Sequence, residues 1–150
     1  MHDLAAVLLA ASTLAVAAGP GQDPLEEHRW RHRVLLLYVP AADVPALASF
    51  REQLRARDCG VRDRDLVIGE IVGPGEGSLG GRPLAGSEID RLRERHAVPV
   101  ADVVTVLVGK DGGTKVRTDG VADLGAIFGR IDSMPMRRQE MSERGSGRCR

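Results

Sequence analysis

Net charge is absent from this sequence: 21 Lys and Arg face 21 Asp and Glu among 150 residues. That balance excludes the electrostatic footprint of a general nucleic-acid binder or a polybasic membrane binder. Cysteine is scarce, at two residues, which is too few for a four-cysteine zinc site or a multi-bridge scaffold. Lysine is reduced to Lys110 and Lys115 against nineteen Arg. Arginine is suited to phosphate recognition, but with 18 glycines and abundant alanine the bias fits a GC-rich bacterial genome. A bilayer-spanning apolar run is also missing. The longest uncharged apolar stretch, residues 4–18, has fifteen residues, short of the roughly 20 a spanning helix needs.

What that stretch does resemble is a secretory signal peptide. Val16 and Ala18 set small residues at the −3 and −1 positions of a cleavage site, ahead of the turn-prone Gly19-Pro20-Gly21. The expectation is export to the periplasm or beyond, with residues 1–18 removed, one domain over residues 19–141 and a polar, disordered tail over 142–150. No cysteine follows the apolar stretch, so a lipid anchor is not expected. Removing residues 1–18 takes away Asp3 alone, leaving 21 basic against 20 acidic residues, so neutrality survives.

Along the remaining chain, residues 33–39 (RVLLLYV) and 103–108 (VVTVLV) are continuously apolar and read as central strands buried on both faces. Asp43 and Pro45 open a helix whose apolar stripe is Val44, Leu47, Phe50 and Leu54, with Gly60 as its stop. Residues 65–72 form a second strand, placed nearer the edge by Glu70. Residues 73–86 read as a loop, and Ser87 with Asp90 opens a short helix to about His96. Asp111-Gly112-Gly113 marks a hairpin into an exposed strand at 114–117. Val121, Leu124, Ile127, Phe128 and Ile131 stripe a last helix that Pro135 interrupts. The order β-α-β-α-β-β-α, with two parallel crossovers and then a hairpin, predicts an α/β fold: a mixed four-stranded sheet of order 2-1-3-4 with helices on both faces, as in a thioredoxin-like domain.

Several residues could carry chemistry. Cys59 reads as the end of the first helix, where the dipole disfavours a thiolate, and Cys149 is penultimate. In an oxidising compartment the two are able to pair, with a chain-entropy gain of roughly 4 kcal/mol for a loop of this size. Gly75-Glu76-Gly77-Ser78-Leu79-Gly80 spells G-x-G-x-x-G, but Arg82 and Pro83 separate it from the next helix, so it reads as a surface loop. His28 and His32 have a helical metal-ligand spacing but no third ligand nearby, and Trp30 between them is expected to pack the sheet edge. At residues 134–141, Pro135 in the first turn of a new short helix would set Arg137 and Glu140 one turn apart, able to pair. Met134 and Met136 suit either a packed clasp or an adaptable contact surface.

Three segments together resemble one family: Trp30-x-x-Arg33-Val34-Leu35-Leu36, the hairpin Leu107-Val108-Gly109-Lys110-Asp111-Gly112, and Ile131-Asp132-Ser133-Met134-Pro135-Met136-Arg137-Arg138-Gln139-Glu140-Met141. They resemble the P-DUDES domain family, small exported bacterial proteins of unknown function with related domains in animal sushi-repeat and coiled-coil extracellular proteins. The resemblance spans about residues 25–141 and implies a thioredoxin-like fold, for which a redox role has been supposed. The residues argue otherwise. Where a thioredoxin has Cys-x-x-Cys, this chain has Pro40-Ala41-Ala42-Asp43-Val44, and Val104 occupies the place of the cis-proline. Fold does not transfer activity.

The expectation is therefore a non-catalytic binding or structural module, with no catalytic, cofactor or metal residues and a surface built from Lys110, Asp111, Gly112, Met134, Pro135, Met136, Arg137 and Glu140. Its partner would be an unknown protein or small ligand, with no nucleic acid and no membrane once the leader is gone. The alternative is an oxidative-stress or thiol-redox protein acting through Cys59.

Overall fold

The apolar run at residues 33–39 forms the centre of the fold. A computed structural model of the chain describes residues 22–145 and 149; the expected leader, and residues 146–148 and 150 of the expected tail, lie outside them. Strand β1 (Arg33–Val39) is buried along its whole length. Alternate side chains of a strand face opposite sides, so Val34, Leu36 and Tyr38 enter one core cluster. Leu35, Leu37 and Val39 enter the other. Leu47 and Phe50 of α1 (Pro45–Ala56), Val61 of α2 (Asp58–Asp63) and Leu124, Ile127 and Ile131 of α4 (Leu124–Asp132) cover the second cluster. Ile89 and Leu92 of α3 (Gly86–His96) cover the first, and helices lie on both faces.

The sheet has six strands rather than the expected four. Next to β1 run β2 (Leu66–Val72) on one side and β5 (Val104–Val108) on the other, with β6 (Thr114–Asp119) beyond β5. Two further strands, β3 (Glu76–Leu79) and β4 (Arg82–Pro83), extend the other edge, giving the order β4-β3-β2-β1-β5-β6. They come from the stretch expected to be a loop. Gly80 and Gly81 both have positive φ, 59° and 80°, the backbone a two-residue hairpin turn requires. The G-x-G-x-x-G string is therefore largely a strand, and Glu70 sits on an inner strand, where its carboxylate takes two hydrogen bonds from Arg51 of α1 at 3.0 and 2.6 Å.

The same hairpin overturns the second parallel crossover. β1 and β2 are parallel, but β5 runs antiparallel to β1. β3 returns the chain along the sheet, so α3 carries it forward again. The last turn of α3 lies at the far end of β2, where Arg93 donates to the Gly73 carbonyl at 2.7 Å. β5 must then start beside the C-terminal end of β1, at the Tyr38–Val104 pair. Two local expectations also change. Asp43 does not cap α1, whose N-cap is Val44 with no side-chain bond. Gly60 is not a stop but an internal residue of α2, where a β-carbon would come within 2.5 Å of the Phe128 ring.

Tyr38 is fully buried. Its hydroxyl donates to the Leu92 carbonyl at 3.1 Å and lies 2.7 Å from Nδ1 of His96. Nε2 of His96 is buried without a partner, so a proton there would be an unsolvated charge. Burial, with a smaller push from Arg95, lowers the His96 pKa to about 4. The unfolded chain thus takes up this proton first as pH falls. The stability contributed by neutral His96 is complete above about pH 6.5 and is lost between there and about pH 4, a change of about 3 kcal/mol. Urea unfolding across that window is expected to show the slope, and His96→Gln to flatten it; an unchanged slope in the variant would refute the assignment.

Candidate functional site

The C-terminal motif owes its shape to Pro135. A residue before proline avoids the helical region, and Met134 is extended (φ −75°, ψ 141°). That break ends α4 and starts α5 (Pro135–Arg144) with proline in its first turn and no side chain capping its N-terminus. Restarting the helix turns Arg137 and Glu140 inward. Arg137 is 3% exposed. It donates through Nε to Asp132 at 3.1 Å and through Nη1 and Nη2 to the Asp63 carbonyl and carboxylate at 2.8 and 2.5 Å.

Glu140 sits at the meeting point of three elements. Arg33, at the start of β1, donates to both its oxygens at 3.1 Å. Lys110, from the β5–β6 hairpin, lies 2.7 Å away, and Arg137 lies 3.7 Å away on the same helix. Lys110 also reaches Asp65 at 2.8 Å, and Asp65 accepts from Arg144 at 3.1 Å. Arg64 pairs with Asp132 through two bonds of 3.1 and 2.7 Å. Burial by itself would raise the pKa values of Glu140, Asp65 and Asp132, but their cationic partners outweigh it and hold all three below the ordinary carboxylate range. The network is ionised and largely buried, the situation in which removing one partner is costly because it strands the other's charge.

Above this network lies a cavity of about 370 Å³. Lys110, Asp111 and Lys115 of the hairpin form one wall, and residues 134–136 at the α4–α5 joint form the opposite one. Arg33, Arg130 and Ser133 complete it. Lys115 pairs with Asp111 at 2.7 Å, and Asp111 also accepts from the Gly113 amide at 3.0 Å. The structure thus brings Lys110, Asp111, Met134, Pro135 and Met136 to one cavity. Gly112, with φ 82°, shapes the hairpin turn outside it, and Arg137 and Glu140 form part of the ion network. Met134 packs on the core while Met136 is 42% exposed. Sequence reasoning missed Lys115 and Arg130, and it named Arg33 and Ser133 only within the strings that carry the family resemblance, not as site residues. A charged residue opening an otherwise apolar run was the available signal for Arg33.

The two segments with the most specific sequence strings therefore build one site. A family model described as "Domain of unknown function (DUF4174)" matches residues 24–140. The chain belongs to that family. No solved structure matches it. Within this DUF4174 domain the other candidates separate from the cavity. The Nδ1 atoms of His28 and His32 lie 3.4 Å apart, and among the described residues no group of three or more His, Cys, Asp or Glu is placed to hold a metal ion. Trp30 does not pack the sheet edge. It is 62% exposed, and its amide donates to the Lys110 carbonyl at 2.6 Å. No helix among the described residues is long and apolar enough to cross a membrane.

Cys59 lies in the first turn of α2, not at the end of α1, because Arg57 separates two helices. It forms a disulfide with Cys149, their Cα atoms 5.6 Å apart across a sequence separation of 90. The bond ties the chain's C-terminal end to α2, on the side of the domain where Arg137 grips Asp63. Closing a loop of that length constrains the unfolded chain by about 4 kcal/mol in the chain-entropy model. Replacing both cysteines by serine is expected to lower the unfolding free energy by about that amount in non-reducing denaturant titrations. A loss below about 1 kcal/mol would show that the bond adds little to the network beside it.

Proposed function

We propose that this domain is a non-catalytic binding module acting outside the cytoplasm, with the cavity between the β5–β6 hairpin and the α4–α5 joint as its site. One observation carries this: two separate segments, 109–115 and 130–136, converge on a single cavity that shares Arg33 and Lys110 with the ion network. Pockets of this size suit small molecules. The four strands β2-β1-β5-β6, one parallel pair joined to an antiparallel hairpin, support a thioredoxin-like core with β3 and β4 added at one edge. That agrees with the P-DUDES resemblance, and we extend the proposal to it. The disulfide supports an oxidising compartment, where such bonds persist, and with it the reading of residues 1–18 as an export leader. Thiol-redox action through Cys59 would first require that bond to be reduced, and no feature of the site favours it. The ligand class is small molecules, not nucleic acid or membrane.

Nitrogen–proton correlation spectra of the full chain, recorded against a small-molecule fragment library, test the proposal. Saturable shifts are expected to cluster at residues 109–111, 115 and 130–136. Shifts elsewhere, or none with any fragment, would contradict it.

A further inference from the structure

The cavity carries a specific charge pattern. Four cations border it: Arg33, Lys110, Lys115 and Arg130. Three acids answer them, since Glu140 and Asp65 pair with Lys110, Glu140 also takes Arg33, and Asp111 pairs with Lys115. Arg130 is left over. Among the described residues no carboxylate lies within ion-pair distance of it, and its side chain donates only to the Ser133 hydroxyl at 3.4 Å, which gives its own proton to the Arg130 carbonyl at 2.7 Å. A second observation is independent of this count. Arg33 is 1% exposed, and its Nε is buried without a hydrogen-bond acceptor. A buried donor without a partner is costly, and Arg33 forms part of the cavity wall. The uncapped N-terminus of α5 opens on the same space, where a helix dipole favours negative charge. The remaining surface is apolar: Met134, Pro135 and the half-exposed Met136.

We propose that the cavity binds a small organic monoanion, a carboxylate with a compact apolar body. Arg130 and the start of α5 receive the carboxylate, and the methionines receive the body. One unanswered positive charge calls for one negative charge. A bare oxyanion such as phosphate would leave the methionine wall unused, whereas the polarisable thioethers adapt to an apolar group of variable shape. This inference rests on the binding-module reading and deepens it.

Benzoate is the probe, with benzamide as its uncharged counterpart and inorganic phosphate as the bare anion, each titrated into the full chain at low salt and followed by the same correlation spectra. Saturable benzoate shifts are expected at residues 109–111 and 130–136, with benzamide and phosphate at least about tenfold weaker. Arg130→Gln, an exposed position outside the ion network, is expected to keep the spectrum of the folded domain and to weaken benzoate about tenfold, the usual loss for a charge-assisted hydrogen bond. Benzamide binding as tightly as benzoate, or Arg130→Gln binding it unchanged, would overturn the anion assignment and leave the binding site standing. Phosphate matching benzoate would overturn the apolar body. No saturable shift with any of the three would overturn the inference, and an empty fragment screen as well would overturn the site.

Discussion

The Glu140 carboxylate is the point at which the chain's separate parts are tied together. It is held by a guanidinium from the first core strand and an ammonium from the β5–β6 hairpin, on a helix whose own Arg137 grips Asp63 at the end of α2. Hydrophobic burial places β1 at the centre of the sheet, but it is non-directional and would tolerate many positions for α5, a helix that buries only Arg137. Charge pairs with fixed geometry do what burial cannot: they select one docking angle. Because the pairs are largely buried, their benefit is specificity more than raw stability, since desolvation offsets much of the Coulombic gain.

That docking angle sets the cavity. Glu140 ties α5 to Arg33 and Lys110, and the same two residues line the space between the hairpin and the α4–α5 joint. Site and scaffold share residues, and the cavity's shape cannot change without disturbing the network. The disulfide from Cys59 to Cys149 acts in the same direction from outside, holding the end of the chain near α2.

Much of this was legible in the sequence where one physical rule dominates. The uninterrupted apolar run at β1 could only be a doubly covered strand, and Pro135 could only end one helix and start another. The Arg137–Glu140 spacing announced an ion pair because a helix fixes which residues meet. Illegible features depended on partners far along the chain. Arg33 and Glu140 lie 107 positions apart, and no local pattern says that a charge opening an apolar strand will meet a carboxylate there. β3 was hidden because its residues, Glu76 to Leu79, are polar or small except the last. The Gly80-Gly81 turn that pins it was in plain view, but the surrounding glycines made it look like loop. Missing that hairpin also reversed the expected direction of β5.

The central claim is that the Arg33–Glu140 pair is coupled strongly enough to hold α5 in place. A double-mutant cycle with Arg33→Met, Glu140→Met and the combined variant, each unfolded in urea, measures that coupling directly. The account predicts a coupling energy of about 2–3 kcal/mol, with the double variant more stable than the worse single one, as expected when a buried charge is no longer left alone. A coupling below about 0.5 kcal/mol, the range of an exposed surface pair, would contradict it.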